Sequence, residues 1–442
     1  MNVIMVSMDT VRADHLSCLG YGRPTTPNID AAAAQGALFS ACFASDVPTQ
    51  PSHTSVFTGR YGINHGIVAH FWPGAVFDAD IPWLPQVMEA AGFTTAAVDN
   101  LVNMKDWFVR GYEYYLKPRG RTRATGDTVN RLALPWIKEH AGDDFFLFIH
   151  YWDAHIPYQP PASYRDRFTA GLPRQDPVEL HRLLAVSPTY ELFQERHYSL
   201  LGEIPSLDHV SALYDAEVAY LDDHVGELLR HLDTLGIAEE TMIVFFGDHG
   251  ENMAEHEAWW DHAGLYDSVV NVPLMIRWPG SLPASRQDGL VQLIDIMPTV
   301  CEAAGIPIPA GVDGRSLLPL MRGEATVDRP GIPLSECTWQ AKRGWRTRDW
   351  KYIRNYDAGA YGHTENELYD LAADPAEQRN VAQSRPDVAA RMDAALQEWL
   401  DRELAGRPDP MLPVLQSELP GVSWLNFWTA EKAKREAGLA AF

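Results

Sequence analysis

The sequence has few cysteines and no long apolar run. Cys18, Cys42, Cys301 and Cys337 are scattered without the spacing of a metal site, so we expect buried or free thiols. No stretch of about 18 apolar residues could span a bilayer, and no signal peptide precedes the first predicted strand. These absences predict a cytoplasmic protein that makes no contact with a membrane.

Positive charge is also scarce. The 442 residues include 36 Lys and Arg against 59 Asp and Glu, which gives a formal net charge of −23. That balance argues against a surface for nucleic acid or for an anionic membrane. An anionic substrate must then be attracted by local metal ions and not by the overall field. With 46% hydrophobic residues, the chain can bury one large core and a smaller one.

Apolar runs alternate with helical segments through the first 250 residues, a pattern that favours an α/β fold. The predicted strands are residues 2–8, 37–43, 94–98, 145–150 and 242–246. The predicted helices are residues 27–35, 82–91, 125–139 and 209–232. Polar residues follow several of these strands, at the edge where open α/β sheets bind their ligands.

Residues 47–60 (Val-Pro-Thr-Gln-Pro-Ser-His-Thr-Ser-Val-Phe-Thr-Gly-Arg) are predicted to form a turn that leads into a helix. Ser52 or Thr54 can cap its first turn, and Gly59 ends it. Thr49 then lies at a helix N-terminus, where backbone amides and the helix dipole favour an anion. A hydroxyl beside an anion site is what the nucleophile of phosphoryl or sulfuryl transfer requires. A capped loop rich in Ser and Thr is the alternative.

This stretch resembles the sulfatase signature C-x-P-S-R-x-x-x-x-T-G-R of the alkaline phosphatase superfamily. The matching residues are Pro51, Ser52, Thr58, Gly59 and Arg60. Thr49 stands where sulfatases carry the Cys or Ser that becomes formylglycine, and His53 replaces the arginine. Threonine cannot be oxidised to that aldehyde, whereas phosphodiesterases and phosphoryl transferases of the superfamily use an unmodified threonine. The resemblance implies a large α/β domain, with a mostly parallel sheet between helices, and a small C-terminal α+β subdomain.

A metal centre follows from this resemblance and from ligand chemistry. Asp9 lies in a segment that resembles the first metal-binding strand of the superfamily, although Thr10 replaces a second acidic residue. Asp248 and His249 are adjacent after a buried strand and can hold one metal ion. Together with Thr49 they give a first site of mixed oxygen and nitrogen ligands, which suits Zn²⁺ or Mn²⁺.

A second divalent ion is also predicted. His262 stands near the position of a sulfatase lysine, and an imidazole there suggests a bound ion in place of the ammonium group. Asp153 and His155 can supply the remaining ligands, because both follow one buried strand. Asn100 resembles the amide donor of threonine-type phosphodiesterases. A protonated His262 that mimics lysine, a structural His262 and a turn-forming Asn100 are the alternatives.

These residues predict a metal-dependent ester hydrolase. We expect it to act on phosphodiesters or phosphonate monoesters through a phospho-threonine at Thr49, with a small-molecule anionic ester as its partner. The predicted catalytic residues are Thr49, Asn100, His155 and His262. The alternatives are a sulfatase without formylglycine, a phosphoryl transferase and a non-enzymatic scaffold, and the retained ligand set speaks against the scaffold.

The chain is predicted to divide into three parts. Residues 1–325 form the catalytic domain, with residues 159–205 as a lid-like insertion over the site. Residues 326–402 form the small subdomain, and residues 403–442 form a C-terminal tail. Strands are predicted within residues 346–354 and 367–371, and a helix at about 385–402.

The tail carries three large aromatic residues without an obvious local core, namely Trp424, Phe427 and Trp428. Apolar side chains of this size are normally buried. We therefore expect a neighbouring subunit to cover them, which predicts a homo-oligomer.

Overall fold

The computed structural model describes residues 1–118, 124–326, 329–363 and 365–437. Its strands are β1 (Asn2–Met8), β2 (Ala37–Phe43), β3 (Asp46–Val47), β4 (Thr94–Val98), β5 (Tyr114–Leu116), β6 (Phe145–Tyr151), β7 (Thr241–Phe246), β8 (Asn252–Glu255), β9 (Ala258–Asp261), β10 (Asn271–Arg277), β11 (Ser285–Gln287), β12 (Val291–Gln292), β13 (Ile332–Cys337), β14 (Ala341–Arg346), β15 (Trp350–Asp357) and β16 (Glu367–Asp370).

The α-helices are α1 (Pro27–Ala33), α2 (Thr49–Thr58), α3 (Gly62–His65), α4 (Leu84–Ala90), α5 (Gly126–Glu139), α6 (Ala162–Thr169), α7 (Pro177–Leu184), α8 (Tyr190–Arg196), α9 (Leu207–Leu235), α10 (Asp267–Val270), α11 (Ile296–Ala303), α12 (Leu318–Met321), α13 (Pro386–Leu404), α14 (Leu412–Gln416) and α15 (Pro420–Glu436). Short 3-10 helices are Ala13–His15, Ser17–Leu19, Leu101–Asn103, Asp106–Val109, Tyr198–Leu201, Leu293–Asp295 and Gly359–Tyr361. Within the described ranges, no helix combines the length and the apolar character needed to cross a bilayer.

The large sheet has the strand order β11-β2-β10-β7-β1-β6-β4-β5, and β12 also pairs with β2. Neighbouring strands are parallel except around β10, which is antiparallel to both β2 and β7. A mostly parallel sheet with helices against it is the predicted α/β fold, which is thereby confirmed.

Both faces of this sheet are covered. Every residue of β1, β6 and β7 is buried. Val3 and Met5 of β1 belong to one apolar cluster, whereas the alternate residues Ile4 and Val6 belong to a second cluster that includes α9. Strands that are buried on both faces have continuous apolar sequences. This is why the sequence predicted them.

The carboxyl ends of β1, β4, β6 and β7 meet at one edge of the sheet, because these strands run in the same direction. Ser7 lies opposite His150 of β6 and opposite Phe246 of β7. Asp9 therefore emerges from the sheet beside Asp248, although more than 200 residues separate them in sequence.

The insertion at residues 159–205 is helical. It contains α6, α7 and α8, and no strand interrupts them. Phe168 of α6 packs against Ala212 and Ala216 of α9, which attaches the insertion to the main body. The function of this segment as a lid stays a prediction.

A second sheet of five strands, in the order β16-β15-β14-β13-β3, forms the small subdomain. The strand predicted within 346–354 is β15, which begins later than predicted, at Trp350, because β14 ends at Arg346 and a turn follows it. Thr347 makes the turn between them. Its hydroxyl accepts from the amide of Trp350 at 3.1 Å, and its amide donates to the Trp350 carbonyl at 2.8 Å.

The C-terminal tail packs on its own chain. Trp428 of α15 is buried, and its indole donates to Glu195 of α8 at 3.2 Å. Lys432 forms an ion pair with Glu191 at 2.9 Å. The expected lack of a local core is therefore wrong for Trp428, whereas Phe427 remains 62% exposed. The predicted homo-oligomer stays a prediction, and the last five residues of the tail lie outside the described ranges.

An ion cluster joins the small sheet to the large domain. Asp267 of α10 forms ion pairs with Arg346 at 2.9 Å and with Lys351 at 2.5 Å, and both cations belong to the small sheet. Lys351 also pairs with Glu377 at 2.7 Å. Burial would raise the pKa of Asp267, but the charges of Lys351 and Arg346 outweigh it and hold that pKa below its ordinary value.

We predict that Asp267→Asn lowers the free energy of unfolding by about 3 kcal/mol, because two buried cations lose a partner. Wild-type Asp267 contributes this stability above its ordinary pKa of 3.8, and the contribution is lost as the pH falls through the lower folded pKa. Denaturant unfolding should therefore show a difference in the free energy of unfolding between the wild type and Asp267→Asn that becomes smaller at acidic pH. Asp166→Asn, which removes an exposed ion pair with Arg165, is the control and should change little. An equal loss of unfolding free energy in Asp267→Asn and Asp166→Asn would contradict the stabilising role of Asp267.

Candidate active site

Asp9, Asp248 and His249 meet at the carboxyl edge of the large sheet. Each offers one ligand atom, and these atoms all lie within 4.8 Å of one another. All three residues are completely buried. Among the described residues, no other group of three or more His, Cys, Asp or Glu side chains comes together in this way.

One carboxylate of this cluster, that of Asp248, lies in an unfavourable environment. Oδ2 of Asp248 has no hydrogen-bond partner among the described residues. Burial and the charge of Asp9 raise the pKa of Asp248 to about 6. A buried oxygen without a partner, beside a second carboxylate and an imidazole, is the environment that a divalent cation stabilises. The donor set thus fits a metal ion that accepts nitrogen and oxygen ligands.

The protonation of His249 follows from its contacts. Its Nδ1 lies 2.9 Å from the carbonyl oxygen of Gly250, which can only accept, so Nδ1 carries the proton. Nε2 then presents a lone pair, and the Thr49 hydroxyl donates to it at 3.0 Å. Burial and the nearby His262 lower the pKa of His249 to about 4, which keeps the ring neutral. A neutral imidazole is the form that binds metals.

Thr49 is the first residue of α2, which places its hydroxyl at the cluster. The prediction that Ser52 or Thr54 caps the helix is wrong, because the helix begins three residues before Ser52. Ser52 instead donates to the carbonyl of Asp248 at 2.6 Å, and Thr54 donates within the helix. Gly59 ends the helix with φ 62, as predicted.

His53, at the position of the signature arginine, carries no charge. Its Nδ1 donates to the carbonyl of Thr49 at 2.9 Å, and its Nε2 accepts from Ser7 at 2.9 Å. Burial lowers its pKa. His53 therefore orients the first turn of α2 and adds no positive charge to the site.

His150 supplies a cation that the sequence did not predict. Its Nε2 lies 3.0 Å from Asp9, and its Nδ1 lies 3.0 Å from Asp99. Burial would lower the pKa of His150, but the two carboxylates outweigh it and raise that pKa to about 9. The ring therefore donates to both carboxylates as an imidazolium. A histidine inside an otherwise apolar strand was the one indication of this role in the sequence.

Thr10 holds both carboxylates in place. Its hydroxyl donates to Asp9 at 2.6 Å, and its amide donates to Asp248 at 3.1 Å. Its φ of 62 lies in the left-handed region, which is strained for a β-branched residue. Such strain is concentrated at functional sites. Here it lets the backbone amide reach Asp248.

His262 follows β9 and lies over the cluster. Its ring centre is 4.5 Å from that of His249, and its Nδ1 is 3.4 Å from Glu251. Burial would lower the pKa of His262, but Glu251 and Asp261 outweigh it and raise that pKa to about 9. The side chain therefore places a positive charge beside the cluster at neutral pH.

The three predicted ligands of a second ion are not brought together. Oδ1 of Asp153 accepts from the amide of Gly126 at the start of α5, at 3.0 Å. The ring of His155 lies 5.6 Å from that of His262, centre to centre. Asn100 is buried at the end of β4, at the same edge of the sheet.

A cavity of about 930 Å³ lies beside the cluster. His155 and His262 line its inner side, together with Pro48, the neighbour of Thr49. Its outer wall comes from the insertion and from the tail, through residues such as Phe193 and Trp424. A substrate in this cavity would present its reacting group to the cluster.

We predict that Asp248→Asn weakens the binding of Zn²⁺ or Mn²⁺ by more than about 100-fold, since changes to groups that only support a ligand already cost about 10- to 100-fold. The metal-free variant should unfold at the same temperature as the wild type or higher, because a repelled charge is gone. Equilibrium dialysis with elemental analysis and a thermal melt measure both effects. Asp288→Asn, at an exposed ion pair, is the control. Wild-type affinity in Asp248→Asn would overturn the assignment of the cluster.

Comparisons with known proteins agree with this geometry. Residues 1–306 match the family model described as Sulfatase, and residues 254–403 match the model described as N-sulphoglucosamine sulphohydrolase, C-terminal. Arylsulfatase K of Gallus gallus is 26% identical over 89% of this chain and 81% of its own length.

Solved structures share the fold. One protein, solved in complex with its substrate D-glucosamine-2-N,6-O-disulfate, has a TM-score of 0.74 and 19% identity, over 92% of this chain and 99% of that one. The phosphonate monoester hydrolase of Agrobacterium radiobacter has a TM-score of 0.71 and 21% identity, over 91% of this chain and 96% of that one. At these identities the likeness shows the fold alone.

The expected preference for phosphorus esters is wrong. It rested on the unmodified threonine, but the family model and the curated relative are sulfatases, which favours sulfate-ester hydrolysis. The prediction of a hydrolase that acts on esters is confirmed, and so is the resemblance from which it came. The matching model covers well over half of the sequence, and the chain therefore belongs to the sulfatase family.

Proposed function

We propose that this protein hydrolyses sulfate esters with Thr49 as an unmodified nucleophile. The observation that carries the proposal is the contact of the Thr49 hydroxyl with Nε2 of His249, which belongs to the cluster that fits a metal. Thr49 also occupies the nucleophile position of the signature, which supports the same choice of side chain.

Asp9, Asp248 and His249 would hold the metal ion, and their mixed oxygen and nitrogen donors suit Zn²⁺ or Mn²⁺. When bound, a divalent ion lowers the pKa of a neighbouring hydroxyl and offsets the negative charge of a sulfate. Thr10 and His150 hold the two carboxylates ready for it through hydrogen bonds.

In the first half of the reaction, Thr49 Oγ1 attacks the sulfur and its proton passes to solvent. The bond between sulfur and the ester oxygen breaks, and the leaving alcohol takes a proton from protonated His155. This histidine lines the cavity beside the cluster, where a leaving group would lie. The products are the free alcohol and a sulfated Thr49.

In the second half, neutral His155 takes a proton from water while the water oxygen attacks the sulfur. The bond from sulfur to Thr49 Oγ1 breaks, Oγ1 takes up a proton from solvent, and the sulfate leaves and releases its remaining proton to solvent. One residue thus acts as general acid and then as general base, which returns both side chains to their starting state.

Positive charge for the sulfate oxygens comes from His262, and Asn100 adds an amide donor. A second ion at Asp153, His155 and His262 is the other arrangement that the sequence allows. The contacts favour the imidazolium, because Asp153 bonds to the N-terminus of α5 while Glu251 and Asp261 stabilise the charge of His262.

We predict that Thr49→Ala lowers kcat/KM for 4-nitrophenyl sulfate by at least about 10⁴-fold, because loss of a nucleophile removes the covalent route. The fold and the metal content should be retained. Thr54→Ala is the matched control, since its hydroxyl lies in the same helix and bonds to Gln50. Circular dichroism and elemental analysis of both variants accompany the rates. Activity in Thr49→Ala within tenfold of the wild type would rule out this nucleophile.

We predict that activity falls as the pH rises through about 9, because His262 then loses its charge. His262→Gln should lower kcat/KM by about 100-fold at neutral pH, the size expected for one lost charge-stabilising donor. His262→Lys should restore activity. The loss of activity at alkaline pH should then occur at a higher pH, since lysine has an ordinary pKa near 10.4.

Metal analysis of the same variants distinguishes a protonated His262 from a His262 that binds a second ion. An unchanged metal content in His262→Gln supports the imidazolium. A fall from two equivalents to one would show that His262 binds a second ion instead.

A further inference from the structure

A chain of hydrogen bonds follows the carboxyl edge of the large sheet and ends at the candidate metal site. Its members, which we call the edge network, are Tyr115 of β5, Asp99 after β4, His150 of β6 and Asp9 after β1. These four strands are neighbours in the sheet, in the order β5-β4-β6-β1. Each strand therefore contributes one side chain, and each side chain bonds to the next.

The contacts of the edge network are well formed and buried. Oδ2 of Asp99 accepts from the Tyr115 hydroxyl at 2.6 Å and from the amide of Leu101 at 2.8 Å. Oδ1 of Asp99 lies 3.0 Å from Nδ1 of His150, and Nε2 of His150 lies 3.0 Å from Oδ2 of Asp9. Asp99, His150 and Asp9 are all buried, which strengthens these hydrogen bonds.

The orientation of the His150 ring decides which atom it presents to Asp9. The ring packs between those of His53 and Trp152, whose centres are 4.9 and 4.4 Å away. A half-turn of the ring would keep its plane but would place Cδ2 beside Asp99 and Cε1 beside Asp9. Both hydrogen bonds would then be lost. The contact with Asp99 therefore stabilises the orientation that directs Nε2 at Asp9.

Asp9 is the metal ligand at the end of the edge network. Its Oδ2 meets His150, and its Oδ1 accepts from the hydroxyl of Thr10 at 2.6 Å. Both oxygens are thus held in place, and each keeps a lone pair for a metal ion. Groups that hold a ligand in this way account for about 10- to 100-fold in metal affinity.

We propose that Asp99 is a positioning residue of the metal site, and that it acts through His150 on Asp9. A carboxylate that only caps the 3-10 helix Leu101–Asn103 is the alternative, because Asp99 also accepts from the amide of Leu101. The inference rests on the metal cluster of the proposed function and is independent of the ester that is hydrolysed.

Asp99→Ala should weaken the binding of Co²⁺ to the metal-free protein by about 10- to 100-fold. The visible absorption spectrum of bound Co²⁺ should also change, because it reports the arrangement of the ligands around the ion. Asp99→Asn should keep most of the affinity, since its amide can donate to Nδ1 of His150 while its oxygen still accepts from Leu101. Wild-type affinity in Asp99→Ala, or an equal loss in both variants, would overturn the inference.

A double-mutant cycle tests whether the effect passes through His150. Asp99→Ala should cause little further loss of Co²⁺ affinity in a His150→Gln background, because the two residues act as one unit. Additive losses would contradict the inference. Tyr115→Phe removes one contact of Asp99 and leaves the ring in place, so it should weaken Co²⁺ binding by a smaller factor. Where Asp99→Ala does not fold, Tyr115→Phe decides, and wild-type affinity in this variant would count against the inference.

Asp222→Ala is the matched control. Asp222 of α9 is also a buried carboxylate that caps a helix, since it accepts from the amides of Asn28 and Ile29 in α1 at 3.0 and 2.8 Å. This variant should lower the melting temperature and leave the affinity and the spectrum of Co²⁺ unchanged. A loss of Co²⁺ affinity as large as that in Asp99→Ala would favour the capping alternative and overturn the inference.

These measurements use no substrate, which separates the inference from the reaction. If no sulfate ester is hydrolysed but Asp99→Ala weakens Co²⁺ binding through His150, the proposed reaction fails and the inference stands. If sulfate esters are hydrolysed but Asp99→Ala binds Co²⁺ like the wild type, the inference is overturned and the reaction stands. Failure of the wild type to bind Co²⁺ would overturn the inference together with the assignment of the cluster.

Discussion

The repulsion between two buried carboxylates, Asp9 and Asp248, is the constraint on which the site depends. Parallel strands bring them to one edge of the sheet, and neither is exposed to water. The imidazolium of His150 offsets the charge of Asp9 through a hydrogen bond. Thr10, whose backbone is strained, donates hydrogen bonds to both carboxylates. The remaining negative charge is best met by a divalent cation, which would also lie beside the hydroxyl of Thr49.

The site keeps positive charge although the arginine of the sulfatase signature is absent, because two other histidines carry it. His53 takes the place of an arginine but is neutral, so it only orients α2. His150 and His262 carry charge, because carboxylates raise the pKa of each ring to about 9. In a chain with a net charge of −23, these local cations create the environment that a sulfate needs.

Much of this could be predicted from the sequence, because a continuously apolar strand fixes where the next residue emerges. The positions of Asp248 and His249 follow in this way, whereas the ligand role of Asp9 needs the family resemblance as well. Asp153 has the same local pattern, but it bonds to a helix N-terminus that comes earlier in the chain. The role of His150 depends on carboxylates from two other strand ends. Packing of the tail on the insertion likewise depends on contacts between segments more than 200 residues apart, which periodicity does not reveal.

The proposed reaction requires that an unmodified threonine becomes sulfated during turnover. Rapid acid quenching of the metal-loaded wild type with 4-nitrophenyl sulfate, followed by peptide mass spectrometry, tests it directly. The peptide containing Thr49 should gain the mass of one SO₃ group, and fragmentation should place that group on Thr49. The gain should disappear when the substrate is exhausted. Active turnover with no sulfated Thr49 at any quench time, or with the group on another residue, would contradict it.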